Sequence, residues 1–329
     1  MDFSNKALQA LDIPYSALIS IIFGMMVLSL PIGAFVMFNS DVGDEINFEY
    51  PISGLDFFSD EISFEFLDYF EIGDIFIVMW VIFVILFSIS IMGPKKNFLE
   101  TLVSIMTQGK HLLQTNYLVT AIKWFSILIL ISGIINLIQV GFDITIEPPS
   151  FENELTQFFY VSMSPLIEEL GFRVLLIGLP LYLMYSRKAS FQHFFKSLWS
   201  PSNLDINETK KVIILIIVIG IFFGAAHIFS GEAWSNGKFA QATASGIIIG
   251  WVYFRSGLVP AILIHWGTNY FIFSYVYLVA DINMISVQEA FSHSLIMTFE
   301  ILFVSLGIIS ITIIIVRNHF FRRKEKLEI

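Results

Sequence analysis

Long apolar runs separated by short polar or charged segments dominate the chain from Pro14 to Val316. Runs of about 18 or more apolar residues are long enough to cross a ~30 Å hydrocarbon core as helix. Lipid offers no partner for free backbone N–H and C=O groups, so a spanning run must be helical or part of a closed barrel. A barrel would show short segments of alternating hydrophobicity, and the runs here are continuous. The pattern predicts eight spans, at about Pro14–Phe38, Ile75–Met92, Tyr117–Val140, Leu155–Tyr185, Lys210–Phe229, Phe239–Phe254, Gly257–Ala280 and Leu295–Val316. The expected fold class is an all-α, polytopic integral membrane helical bundle of about eight transmembrane helices.

Composition agrees. Only 14% of residues are charged, against about a quarter in a soluble domain, and the deficit is spread along the chain. The chain has no cysteine, which excludes disulfides, a thiolate nucleophile and a cysteine-ligated metal. The first apolar run is too long for a typical signal-peptide core and Met1 to Lys6 is barely positive, so it is expected to be a retained helix.

The placement of charge says more than the net value of −10. Basic clusters around Lys95, Arg187, Lys210, Arg255 and Arg322 all fall on one side if each span crosses once. The positive-inside rule assigns that side, and both termini, to the cytoplasm of a cell-membrane protein. The opposite side receives the segment Asn39–Asp74, with eleven acidic residues and no Lys or Arg, and the stretch holding Asp143, Glu147, Glu152 and Glu154. Lys238 is the sole basic residue expected among those outer loops. The acidic segment lacks the spacing of an EF-hand loop and is expected to be a solvated outer surface.

Three places break the apolar pattern within the spans. A charged group at mid-depth costs about 2.5–3.5 kcal/mol on insertion scales and normally faces a protein interior or a water cavity. Span four contains Pro165-Leu166-Ile167-Glu168-Glu169-Leu170-Gly171-Phe172-Arg173. Glu169 and Arg173 are four apart, in the order that suits a same-face ion pair. A structural pair would account for those two and leave Glu168, about 100° around the helix, without a task. Span five holds Phe223-Gly224-Ala225-Ala226-His227, whose small residues permit close helix approach. Span seven holds His265-Trp266-Gly267-Thr268-Asn269, with His265 and Asn269 on one helix face. Each histidine taken alone reads equally well as a packing residue. Taken together, a carboxylate, two imidazoles, an amide and an ion pair are the parts that activate water and stabilise an oxyanion.

The same residues carry a family resemblance. Glu-Glu-x-x-x-Arg (Glu168, Glu169, Arg173), Phe-x-x-x-His (Phe223, His227) and His-x-x-x-Asn (His265, Asn269) follow in this order on separate apolar runs. Leu258-Val259-Pro260 lies shortly before the last motif. The pattern resembles the CPBP family, which groups CAAX prenyl endopeptidases with bacteriocin-processing and immunity-type membrane proteins, over about Leu155–Tyr277. The resemblance divides the chain into an N-terminal membrane region (1–154), a CPBP-like catalytic core (155–280), and a last transmembrane helix with a basic tail (281–329).

The resemblance implies an intramembrane endopeptidase acting on a membrane protein or a lipidated, CAAX-type peptide within the bilayer, with no nucleic-acid partner. It implies Glu168 as the general base on the attacking water and His227 as a residue holding that water. His265 and Asn269 would stabilise the oxyanion, Glu169 and Arg173 would orient the catalytic helix, and Phe223 would line the chamber. Family members are often labelled metalloproteases, and Glu168, His227 and His265 would be the ligands if zinc were used. A metal-free, glutamate-activated water is the favoured expectation. The competing readings are a proton- or ion-coupled transporter, which also buries ionisable groups, and a non-catalytic immunity or scaffold protein of the same fold. One tension stands: His227 lies about 24 Å along its helix from Lys211 at 1.5 Å per residue, nearer the outer face than Glu168 and His265.

Overall fold

The computed structural model describes residues 3–40, 46–55, 69–108, 116–146, 153–229 and 235–325. Eight of the eleven acidic residues of the segment Asn39–Asp74, as well as Glu147 and Glu152, lie outside them. The described elements are almost entirely helical. They are α1 (Phe3–Asn39), α2 (Ile72–Met92), α3 (Phe98–Gln108), α4 (Tyr117–Val140), α5 (Glu154–Glu168), a π-helical stretch (Glu169–Gly178) and α6 (Leu179–Tyr185). There follow α7 (Phe191–Trp199), α8 (Thr209–Phe229), α9 (Lys238–Ser256), α10 (Leu258–Trp266), a second π-helical stretch (Gly267–Phe271), α11 (Ile272–Asn283), α12 (Val287–Phe291) and α13 (Ser294–Glu325). The fold is an all-α polytopic membrane bundle.

Among the described residues, six helical runs are long and apolar enough to cross a membrane: α1, α2, α4, α8, α10–α11 and α13. The other two of the eight expected spans, α5–α6 and α9, are more polar along their length. The first is interrupted by the π stretch that carries Glu169 and Arg173, and the second turns Lys238, Gln241 and Ser245 toward an interior chamber. Apolar composition is diluted where a helix faces water inside the bundle rather than lipid.

Side-chain caps fix where the helices begin. Asn116 Oδ1 accepts from the N–H groups of Leu118 and Val119 at the start of α4, satisfying donors that the first turn leaves free. Its amide donates to the carbonyls of Ile91 and Lys96, so the end of α2 and the start of α4 are tied together. Asn153 caps α5 in the same way. Between these ties, α3 packs Phe98, Leu102 and Ile105 inward while Leu99, Val103 and Met106 stay exposed. A short helix apolar on both faces, beside Lys95 and Lys96, suits the membrane interface. Neither α3 nor α7 is foreshadowed by the apolar runs, which are too short there to signal a span.

Two ends of the bundle can be told apart. At one, Tyr253 Oη donates to Leu198 O at 2.6 Å, Tyr185 Oη lies 3.4 Å from Glu208 Oε2, and Lys211 pairs with Glu208 at 2.6 Å. Gly257, at φ +89°, has no room for a side chain beside Trp199 O, so the reversal from α9 into α10 needs glycine. The end of α2 joins this group, because Phe87 and Phe83 pack on Trp266 while Phe76 packs on Tyr270, an antiparallel pairing. This is the basic end. At the opposite end, Gln139 Nε2 donates to Gly237 O at 2.6 Å and Ser235 Oγ to Thr145 O at 3.1 Å. Tyr277 Oη there contacts Glu154 O and Gln157 Oε1 at 2.8 and 2.7 Å.

Candidate active site

Helices α8 and α9 form the most extensive helix–helix contact in the bundle, and glycine makes it possible. A Cβ on Gly246 would stand 2.9 Å from Gly220 Cα, and one on Gly224 would overlap Thr243 and the Phe239 carbonyl. Backbones this close have traded side-chain volume for approach. The result brings His227, near the end of α8, alongside the start of α9.

The chain of α5 is disturbed at Pro165, which has no N–H to give to the Val161 carbonyl; Ser164 Oγ approaches that oxygen instead, at 3.4 Å. Four residues on, the helix widens into the π stretch Glu169–Gly178. A second widening begins at Gly267, directly after His265-Trp266. Such widenings cluster at functional sites, and both occur here where the motif residues sit.

The two adjacent glutamates part company at the first widening. Glu169 is fully buried and lies between two cations or potential cations: Arg173 Nε is 3.0 Å from Oε2 and His265 Nδ1 is 2.8 Å from Oε1. The Arg173 guanidinium, also fully buried, sits over the Phe223 ring at 4.6 Å, and that ring packs on His227 at 4.6 Å and on His265 at 6.0 Å. The expected Glu169–Arg173 ion pair is present, and it does more than join turns of one helix: it reaches across to hold an imidazole on another. Glu168 instead turns outward, 27% exposed, with Oε2 3.8 Å from His265 Nε2.

A cavity of about 420 Å³ lies over this cluster. Glu168, Phe223, His227, His265 and Asn269 all line it, whereas Glu169 and Arg173 stand behind the wall. The three motifs therefore converge, His227 included, although it is far along its helix. Three residues not among the expected site residues also belong here. Ser164 accepts a 2.7 Å bond from Asn269 Nδ2, the Thr268 hydroxyl lies 3.0 Å from Asn269 Oδ1 and 2.8 Å from the His265 carbonyl, and Lys238 lines the chamber. Ser164 lies four residues before Glu168, a spacing that marks it as a polar neighbour on the same helix face. Thr268 and Lys238 carry no such signal.

The set considered for zinc, Glu168, His227 and His265, does not form a ligand cluster. Among the described residues no three His, Asp or Glu side chains gather closely enough to hold a metal ion, and His227 Nδ1 is bonded to the Phe223 carbonyl at 2.9 Å.

The chamber gathers a carboxylate, two imidazoles and a carboxamide, the side chains from which hydrolytic sites are built. Residues 152–271 match the family model of the type II CAAX prenyl endopeptidases, Rce1-like. This segment, about a third of the chain, matches the CPBP/CAAX protease family that its three motifs resemble, and the match supports a CAAX-type intramembrane endopeptidase in general. Searches of curated proteins and of solved structures returned no match.

Proposed function

We propose that the protein hydrolyses a peptide bond of a membrane-associated substrate inside this chamber, with Glu168 as general base. The observation that carries the reading is the division of labour between the adjacent glutamates: one is spent on His265 and Arg173, the other is held free on the chamber wall. Glu168 takes a proton from a water molecule as its oxygen adds to the scissile carbonyl carbon. His227, on the opposite wall, helps to hold that water.

The charge that develops on the carbonyl oxygen needs donors. His265 donates an Nδ1–H hydrogen bond to Glu169, so it has a second donor, at Nε2 facing Glu168 at 3.8 Å, only as the imidazolium. Asn269 uses one amide hydrogen on Ser164 and has a second for the oxyanion. Collapse of the tetrahedral intermediate breaks the C–N bond, and the proton taken up by Glu168 goes to the leaving amine. No step requires a metal in this scheme. A prenylated C-terminal CAAX peptide is one substrate of the required kind, and an unmodified membrane peptide is another.

The test is cleavage of lipidated and unlipidated peptides by purified protein in detergent. Glu168→Gln preserves side-chain volume and is expected to lower the rate by about 10²–10⁴-fold, the usual share of a general base, while a metal chelator leaves the wild-type rate unchanged. Undiminished cleavage by the Gln variant would refute the assignment, and loss of activity with chelator, restored by added zinc, would replace it with metal chemistry.

A further inference from the structure

The chamber has a direction. Apart from Phe172, one turn past Glu168, the residues that line it run on each wall from the catalytic cluster toward the end of the bundle remote from the basic loops. On α5 they proceed from Glu168 back through Ser164 to Tyr160, toward the capped start at Glu154. On α8 they proceed from Phe223 to His227, and on α9 from Ser245 back to Gln241 and Lys238. The α10–α11 run contributes His265, Asn269 and Phe273, and α4 contributes Leu128 and Ser132. All five sequences climb toward the end where Gln139 meets Gly237 and Tyr277 meets Glu154.

In the other direction the bundle is closed. Ile177, Ile216, Ile249 and Tyr253 are each 2% exposed or less. Gly250 fits against Ile216 and Ile177, and Gly178 against the Tyr253 hydroxyl, with no room for even a methyl group at Gly178. This layer of packed side chains separates Glu169 and Arg173 from the basic end. Interiors at such density do not pass a peptide.

Charge then orients the two ends. Lys95, Lys96, Arg187, Lys188, Lys210, Lys211 and Arg255 flank the closed end, and basic flanks of short loops mark the cytoplasmic face. We propose that substrate enters from the extracytoplasmic side, through a mouth framed by Ser132, Tyr160, Lys238, Gln241 and Phe273. This assignment rests on the proteolytic reading for its consequence, and that consequence is specific. The substrate class is an extended segment of a membrane-anchored or exported polypeptide presented outside the cytoplasm, not the tail of a cytosolic lipoprotein.

The absence of cysteine makes the proposal directly testable on the full chain. Ser132→Cys, a near-isosteric change, and Gln241→Cys place single thiols at the mouth, and Lys188→Cys places one in a basic loop. Each is exposed, in intact cells and in inverted membrane vesicles, to a small membrane-impermeant thiosulfonate. The mouth thiols should label in intact cells and the Lys188→Cys thiol only in inverted vesicles. Mouth thiols that label only from the side that labels Lys188→Cys would overturn the proposal, as would a Lys188→Cys thiol reached from outside the cell. Because labelling does not depend on catalysis, it separates entry side from the protease reading. In the same vesicles, peptide supplied only to the extracytoplasmic face should be cut; cleavage confined to peptide on the cytoplasmic face would again overturn the entry side. Labelling as expected with no cleavage from either face would support the mouth and refute proteolysis.

Discussion

Glu169→Gln is the sharpest probe of how the site is held. The replacement keeps the shape of the side chain and removes its charge, at a position with no exposed surface and two donors in contact: Arg173 Nε at 3.0 Å and His265 Nδ1 at 2.8 Å. A glutamine offers one acceptor oxygen and one NH₂ group, so it can meet both partners only if His265 takes the tautomer that accepts at Nδ1. The charge-assisted bond lost there is worth about 1.5–3 kcal/mol. The larger effect is Arg173, whose buried charge then lacks its counter-ion; breaking one side of a buried pair costs about 3–5 kcal/mol. Glu169→Gln should therefore lower stability by about 3–5 kcal/mol, the two estimates overlapping in origin and not summing. The assay is denaturant unfolding in a fixed detergent, compared with Arg173→Met and with the double variant. Removing both charges leaves no uncompensated ion, so the double variant should regain most of the stability lost by Glu169→Gln. It should not regain cleavage, because His265 still lacks the carboxylate that orients it. A Glu169→Gln variant within about 1 kcal/mol of wild type, the scale of an exposed ion pair, would refute the reasoning. So would a double variant that recovers activity.

Two further outcomes test the packing that positions the site. Gly246→Val should push α8 from α9, since a Cβ there already stands 2.9 Å from Gly220 Cα; a destabilisation of about 1–3 kcal/mol is expected from overpacking, read by thermal unfolding in detergent. Asn116→Ala removes the cap of α4 and both bonds to the end of α2; loss of the cap alone should cost about 0.5–2 kcal/mol, and hydrogen exchange at Leu118 and Val119 should rise with it.

The sequence determined the class of fold and which polar residues break its apolar spans. Apolar length decides membrane helix without reference to neighbours, because lipid leaves the backbone no other way to satisfy its hydrogen bonds. For that reason Tyr117–Val140 matches its expected bounds and Lys210–Phe229 is off by one residue. Charge within such a run is costly enough to stand out, so Glu168, Glu169, Arg173, His227, His265 and Asn269 were all legible as exceptions. The short helices α3 and α7 were not, since segments of this length form no long apolar run. Thr268 was not marked out because a hydroxyl costs little in a helix, and Lys238, noted as the sole basic residue among the outer loops, was not placed at the site because only a neighbouring helix brings it there. The i,i+4 spacing already paired Glu169 with Arg173 and left Glu168 over; tertiary structure added the reach of His265 from another helix to Glu169 and the π-helical widening that follows Glu168. Tertiary structure also resolved the depth of His227. That residue lies far along α8 because the chamber itself extends toward the acidic end, and only the packing of Ile177, Ile216, Ile249 and Tyr253 against one another reveals which end is closed.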